Sequence, residues 1–259
     1  MSGLPYKDRM NALCGEPIEV KGITLYPIRL MDMGEYDGCK SVLEIRQSTL
    51  PVSYISMPYL EALFAMDRDN QFKLGLMARV IKLISLSTRA DVRSFRLFGK
   101  DGSETELGRI TFTAGEEEKE ITPKNYGAIR NAIAFLNREE LPDESENAEL
   151  VEAQQDIAMV NDLGLDLNMD TLLESVAAMY RIRIRDMMEW TVRDFRGIAE
   201  ALDREKRYML MTGAEFSGNI KWQRGNPCPS WQFDKKKTAG GVLEPIAEAA
   251  GHFGLKNKE

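Results

Sequence analysis

Apolar residues along this chain change period several times, and each change marks an element. Ile18 and Val20, then Ile23 and Leu25, alternate on either side of Lys21-Gly22, the pattern of a short hairpin with a tight turn. Pro27 ends that strand or leaves it at an edge. Asp32 with Glu35 opens a helix whose face carries Met33, Tyr36, Cys39 or Lys40, Val42 and Leu43, up to Pro51. Leu50 to Ile55 has extended character, and Ser56-Met57-Pro58 starts a helix with Leu60, Leu63 and Phe64 turned inward. After Asp67-Arg68-Asp69-Asn70, the near-continuous spacing of Phe72, Leu76, Val80, Leu83 and Ile84 predicts a buried helix.

Phe95 and Leu97, then Ile110 and Phe112, alternate about Lys100-Asp101-Gly102 and predict a second hairpin, with a short polar edge strand from Glu116 to Ile121. Thr122-Pro123 opens a helix marked on one face by Tyr126, Ile129, Ile133 and Leu136. Residues 16–138 therefore read as an α+β domain of two hairpins packed with helices. Residues 1–15 show no period and read as a flexible lead.

Composition turns acidic after Leu141-Pro142, and residues 139–170 read as an acidic linker containing a weak helix. A second domain, 171–259, is then mostly helical, with a loop rich in Pro and Trp and a basic tail. Thr171 and Glu174 make a capping box ahead of Leu172, Leu173, Val176, Ala177 and Tyr180. Thr191 caps a further helix, with Asp194 three residues on and Trp190 and Phe195 as a hydrophobic staple. Its inward face is Val192, Phe195, Ile198, Ala199, Leu202 and Met209, and Gly213 is placed as its C′ residue. A short extended piece around Trp222 leads into the loop Gly225 to Lys235.

At 259 residues and 43% hydrophobic, the chain can bury a substantial core. Its net charge of −7 has one source: residues 139–174 hold 12 Asp or Glu and no Lys or Arg, while the remainder holds 34 basic and 29 acidic side chains. A solvated linker, an intramolecular contact with the basic C-terminal part, and head-to-tail self-association all fit that asymmetry. Three cysteines without a CxxC or Cys/His cluster read as reduced thiols, Cys39 as a small helix residue, and the lone His252 takes no role. No metal or other cofactor is expected. Absence of an apolar leader or an 18-residue apolar run predicts a cytoplasmic protein without membrane contact. The arginines at 181, 183 and 185 lack interleaved aromatics, so a solvated face outweighs nucleic-acid binding. With no phosphate loop, nucleophile elbow or dinucleotide fingerprint, no enzymatic activity is expected.

All three tryptophans lie between 190 and 231. Trp222, Pro227, Pro229, Trp231 and Phe233 form the candidate partner-binding segment, since two prolines restrict a loop that presents large aromatic anchors. Packing of Trp231 on the chain's own helix explains the same residues.

Two stretches carry a resemblance. The first is Gly22-Ile23-Thr24-Leu25-Tyr26-Pro27-Ile28-Arg29-Leu30 with Met33-Gly34-Glu35-Tyr36 and Leu50-Pro51. The second is Glu189-Trp190-Thr191-Val192-Arg193-Asp194-Phe195 with Ser217-Gly218 and Gly225-Asn226-Pro227-Cys228-Pro229-Ser230-Trp231. Together they resemble tail-assembly chaperones of long-tailed bacteriophages and prophages. That resemblance implies a non-enzymatic protein of the host cytoplasm that coats the tape-measure protein through 16–138 and recruits tail-tube subunits through 171–259. The competing classes are a tail or baseplate component retained in the virion, and a soluble host regulator with an effector domain at 171–259.

Overall fold

Lys21 and Gly22 both take positive φ, 53° and 76°, as a two-residue type I′ turn requires, so β1 (Ile18–Val20) and β2 (Ile23–Leu25) pair antiparallel with Ile18 opposite Leu25. The computed structural model describes residues 4–69, 75–100, 106–144, 169–217, 228 and 230. Within them the protein is α+β, with two small antiparallel sheets and a helical C-terminal region. The second sheet has the order β3-β4-β5, from Arg96–Gly99, Leu107–Ala114 and Glu117–Ile121. Leu97, Ile110 and Ile121 stand in register across it, and the Phe95 and Phe112 rings stack 4.8 Å apart on its buried side.

Seven helices belong to the described N-terminal part: α1 (Tyr6–Leu13), α2 (Met33–Cys39), α3 (Ser41–Glu44), α4 (Val52–Ile55), α5 (Tyr59–Arg68), α6 (Leu76–Thr88) and α7 (Pro123–Leu136). The predicted inward faces hold except at Phe64, which is half-buried: Tyr36, Val42, Leu60, Leu63, Val80, Leu83, Ile84, Ile129 and Ile133 are at most 1% exposed. Thr122 closes a capping box with Asn125 at the start of α7. C-terminal to the acidic stretch come α8 (Met169–Tyr180), α9 (Ile184–Met187) and α10 (Val192–Phe216).

Several local expectations are corrected. Residues 6–13 of the expected lead form α1, which packs beside β1 and buries Ala12, while Tyr6, Met10 and Leu13 stay exposed. The helix from Met33 is divided at Lys40 into α2 and α3. Val52–Ile55 is one turn of helix rather than extended, because Pro51 sets its entrance at φ −52° and Gln47 donates to the Tyr54 and Ile55 carbonyls at its end. Thr171 lies inside α8, its carbonyl accepting from Ser175, so it is not the cap. Gly213 is likewise interior, and α10 runs on to Phe216. Only Val192 and Phe195 of the predicted α10 face are buried, and Met209 is 61% exposed. Phe72 and the turn at Asp101-Gly102 lie outside the described residues.

The chain divides into two compact units, Met1–Ala148 with Asp166–Ile198, and Glu149–Leu165 with Ala199–Glu259. Residues 171–198, assigned by sequence to a separate C-terminal domain, belong to the first unit. They are held there by backbone pairing and by the buried Val176, Met187, Val192 and Phe195.

Candidate functional site

Backbone hydrogen bonds join two segments far apart in sequence. Leu30 donates to the Trp190 carbonyl at 2.8 Å, Val192 to that of Ile28 at 2.8 Å, and Met31 to that of Met188 at 3.1 Å, around an antiparallel bridge between Arg29 and Thr191. Thr191 also caps α10 as predicted: its Oγ1 accepts the Asp194 N–H at 3.0 Å and donates to Asp194 Oδ2 at 2.7 Å. The bridge and the start of α10 are thus fixed by the same residue.

The end of α7 supplies the polar floor of this junction. Asn137, fully buried, accepts the Ile28 N–H at 3.0 Å and donates to the Ile133 carbonyl at 2.8 Å. Glu139 pairs with Arg196 at 2.6 Å, with side chains only 13% and 20% exposed, and accepts the Tyr36 hydroxyl at 2.9 Å. Burial, followed by the Glu139 charge, pushes the Tyr36 hydroxyl well above the usual tyrosine range. Arg196 donates further to the Asn137 carbonyl at 3.1 Å.

Beside this floor is an open groove of about 470 Å³. Leu13, Trp190 and Ile198 give it apolar walls, and Arg138, Arg193 and Asp194 line it with charge. Arg193 lies over the Phe135 ring, 4.6 Å from its centroid, and donates to the Phe135 carbonyl. Its pKa is lowered, first by burial and then by the neighbouring Arg138 cation. Arg138 sits at the α7 terminus with φ 56°. The tip of its guanidinium lies 2.8 Å from where a Cβ at Gly197 would stand, so a larger residue there would push the arginine head aside. Gly15, at φ 73°, turns the chain from α1 towards β1 against Thr191 and Asp194. Asp194 is occupied by Thr191. The groove therefore combines an indole, two aliphatic side chains and two guanidiniums, which is equipment for recognition.

The predicted partner-binding residues Trp222, Pro227, Pro229, Trp231 and Phe233 all lie outside the described residues. Cys228 and Ser230 of that loop are half-buried. Trp190, read from sequence only as a staple, is the aromatic wall of the groove. The groove was missed because its residues come from three distant segments and none of them forms a motif. Cys39 is buried as expected, its thiol donating to the Tyr36 carbonyl, and burial pushes its pKa up to about 12. The arginines at 181, 183 and 185 are exposed. Among the described residues no group of three His, Cys, Asp or Glu side chains is placed to hold a metal ion, and no helix is long and apolar enough to cross a membrane.

No known protein family, no curated protein and no solved structure matches the chain.

Proposed function

We propose that this chain is a non-enzymatic tail-assembly chaperone of a long-tailed bacteriophage or prophage, acting in the host cytoplasm on the tape-measure protein and recruiting tail-tube subunits. One observation supports the reading most. The two stretches that carry the resemblance, about 160 residues apart, pair with each other through the Arg29–Thr191 bridge and the flanking hydrogen bonds. A resemblance confined to unrelated surface segments would have no such common structural basis.

The test is to look for a tape-measure gene beside the one encoding this chain, as the reading expects, and to co-express the two proteins. Soluble tape-measure protein that co-purifies with the chain, together with absence of the chain from purified particles by mass spectrometry, is the expected result. Stoichiometric presence in particles replaces the reading with a retained tail or baseplate component. Within the same assay, Trp231→Ala is expected to weaken capture of tail-tube subunits while leaving the melting temperature unchanged; a large drop in melting temperature assigns Trp231 to the core instead.

A further inference from the structure

Residues 44–59, between the buried Leu43 and Leu60, bury no side chain. Val52 and Ile55 of α4 are 84% and 44% exposed, so apolar burial does little to hold this excursion and polar contacts carry much of its order. Its internal fastening is Gln47, whose side-chain amide donates to the Tyr54 carbonyl at 3.0 Å, to that of Ile55 at 3.2 Å and to that of Met57. A second fastening comes from the acidic residues that follow α7. The Glu144 carboxylate accepts the Gln47 N–H at 3.1 Å on one oxygen and the Ser48 N–H at 2.9 Å on the other, while Arg46 donates to the Asp143 carbonyl. Beyond α4, the Tyr54 hydroxyl donates to Asp69 at 3.3 Å. Gln47 is therefore the pivot: Glu144 holds its backbone, and its side chain holds α4.

We propose that residues 46–57 and the pair Asp143-Glu144 open and close as one unit, with Glu144 as its latch, so that the start of the acidic stretch and α4 are coupled. The bonds to Glu144 are charge-assisted and reach two neighbouring amides of a single 3-10 turn, Gln47–Thr49. Withdrawing the carboxylate leaves that turn without its outside support, and the Gln47 side chain is then no longer fixed opposite the three carbonyls. α4, a helix of four residues, is too short to persist without that clasp. Linkage makes the coupling reciprocal: whatever draws Glu144 off the turn loosens α4, and whatever loosens α4 frees Glu144 by the same free energy. The device rests on these contacts alone and stands or falls independently of the tail-chaperone reading.

Amide hydrogen exchange of the full chain, read by NMR, tests the coupling at bonds that Glu144 does not touch. The Tyr54 N–H donates to the Pro51 carbonyl at 2.8 Å and that of Met57 to the Tyr54 carbonyl at 3.2 Å, both inside the excursion. Glu144→Ala speeds exchange at Tyr54 and Met57 by about tenfold and leaves Ala62 of α5 and Ile133 of α7 unchanged. Glu144→Gln, which keeps one acceptor, gives a smaller rise. The reverse arm is Gln47→Ala, which removes the side-chain amide from the α4 carbonyls and keeps both N–H groups available to Glu144. A Glu-specific protease then cuts after Glu144 about tenfold faster than in the wild-type chain. Faster exchange confined to Gln47 and Ser48 in Glu144→Ala makes Glu144 a local cap of the turn and overturns the proposal, as does Gln47→Ala that leaves cleavage after Glu144 unchanged. A rise at Ala62 and Ile133 equal to that at Tyr54 means that the whole fold has loosened, and overturns it too.

Discussion

At the scale of single residues, Asn137 and Thr191 make a useful contrast because both anchor the same junction. Thr191 sits half-buried at a helix start, where losing the cap costs about 1 kcal/mol. Asn137 is fully buried, and its replacement by Leu leaves the Ile28 N–H without an acceptor at a site water does not reach. The unmade bond is then the larger effect, about 2 kcal/mol, visible as a lower urea midpoint than Thr191→Ala gives. A midpoint for Asn137→Leu above that of Thr191→Ala would show that apolar packing compensates. The buried acids give the pH dependence its sign. Burial raises Cys39 from 9.0 to about 12, raises Tyr59 from 10.0 to about 12, and raises Tyr36 and Tyr126 as well. A raised folded-state pKa contributes stability that is complete below the unfolded value and is lost as pH climbs towards the folded one. Stability should therefore begin to fall near pH 9, where the unfolded Cys39 thiol starts to ionise. In Cys39→Ala the onset moves to about pH 10, where the tyrosines take over; urea midpoints between pH 7 and 11 check this.

At the scale of elements, helix starts show what a sequence can and cannot disclose. α7 and α10 are capped by Thr122 and Thr191, each within three residues of its partner, and both were legible. The β1–β2 and β3–β4 hairpins were legible for the same reason, since alternation is itself a local signal. α6 begins differently. Gly75 sits at φ 61° with no side chain, and the Leu76 and Met77 N–H groups are taken by the two carboxylate oxygens of Asp67, at 2.7 and 3.1 Å, from the end of α5. That cap spans nine residues and has no sequence signature. Asp67→Ala should thus cost about 1–2 kcal/mol, comparable to losing a local cap, and Asp67→Asn should recover part of it. Equal stability of Asp67→Ala and wild type would mean that water satisfies both amides. α1 is illegible for the opposite reason: its eight residues carry too few apolar positions to establish a period, and only Ala12 of them is buried. The groove shares that illegibility, because Leu13, Arg138 and Trp190 meet only once the chain has folded.

At the scale of the whole molecule, the acidic stretch is not the boundary between the chain's two compact units, since residues on both sides of it belong to the first. Its first residues are held by the N-terminal part: Glu139 lies in the Arg196 and Tyr36 contacts, and the Glu144 carboxylate accepts the Gln47 and Ser48 N–H groups at 3.1 and 2.9 Å. Residues 169–198 then return to the first compact unit, contributing Val176, Met187, Val192 and Phe195 to its interior and three backbone hydrogen bonds to segment 28–31. Limited proteolysis with a Glu-specific protease separates this arrangement from two beads on a linker. Glu139 and Glu144 should resist, and cutting should fall at Glu146, Glu149 or Glu152, where composition is most acidic. After such a cut both fragments should still elute together under native conditions, because the C-terminal fragment carries part of the first unit's core. They should separate only in denaturant. Independent elution in buffer would mean that residues 169–198 fold apart from the hairpins, and the convergence of segments 22–30 and 189–195, on which the proposed function leans, would be lost with it.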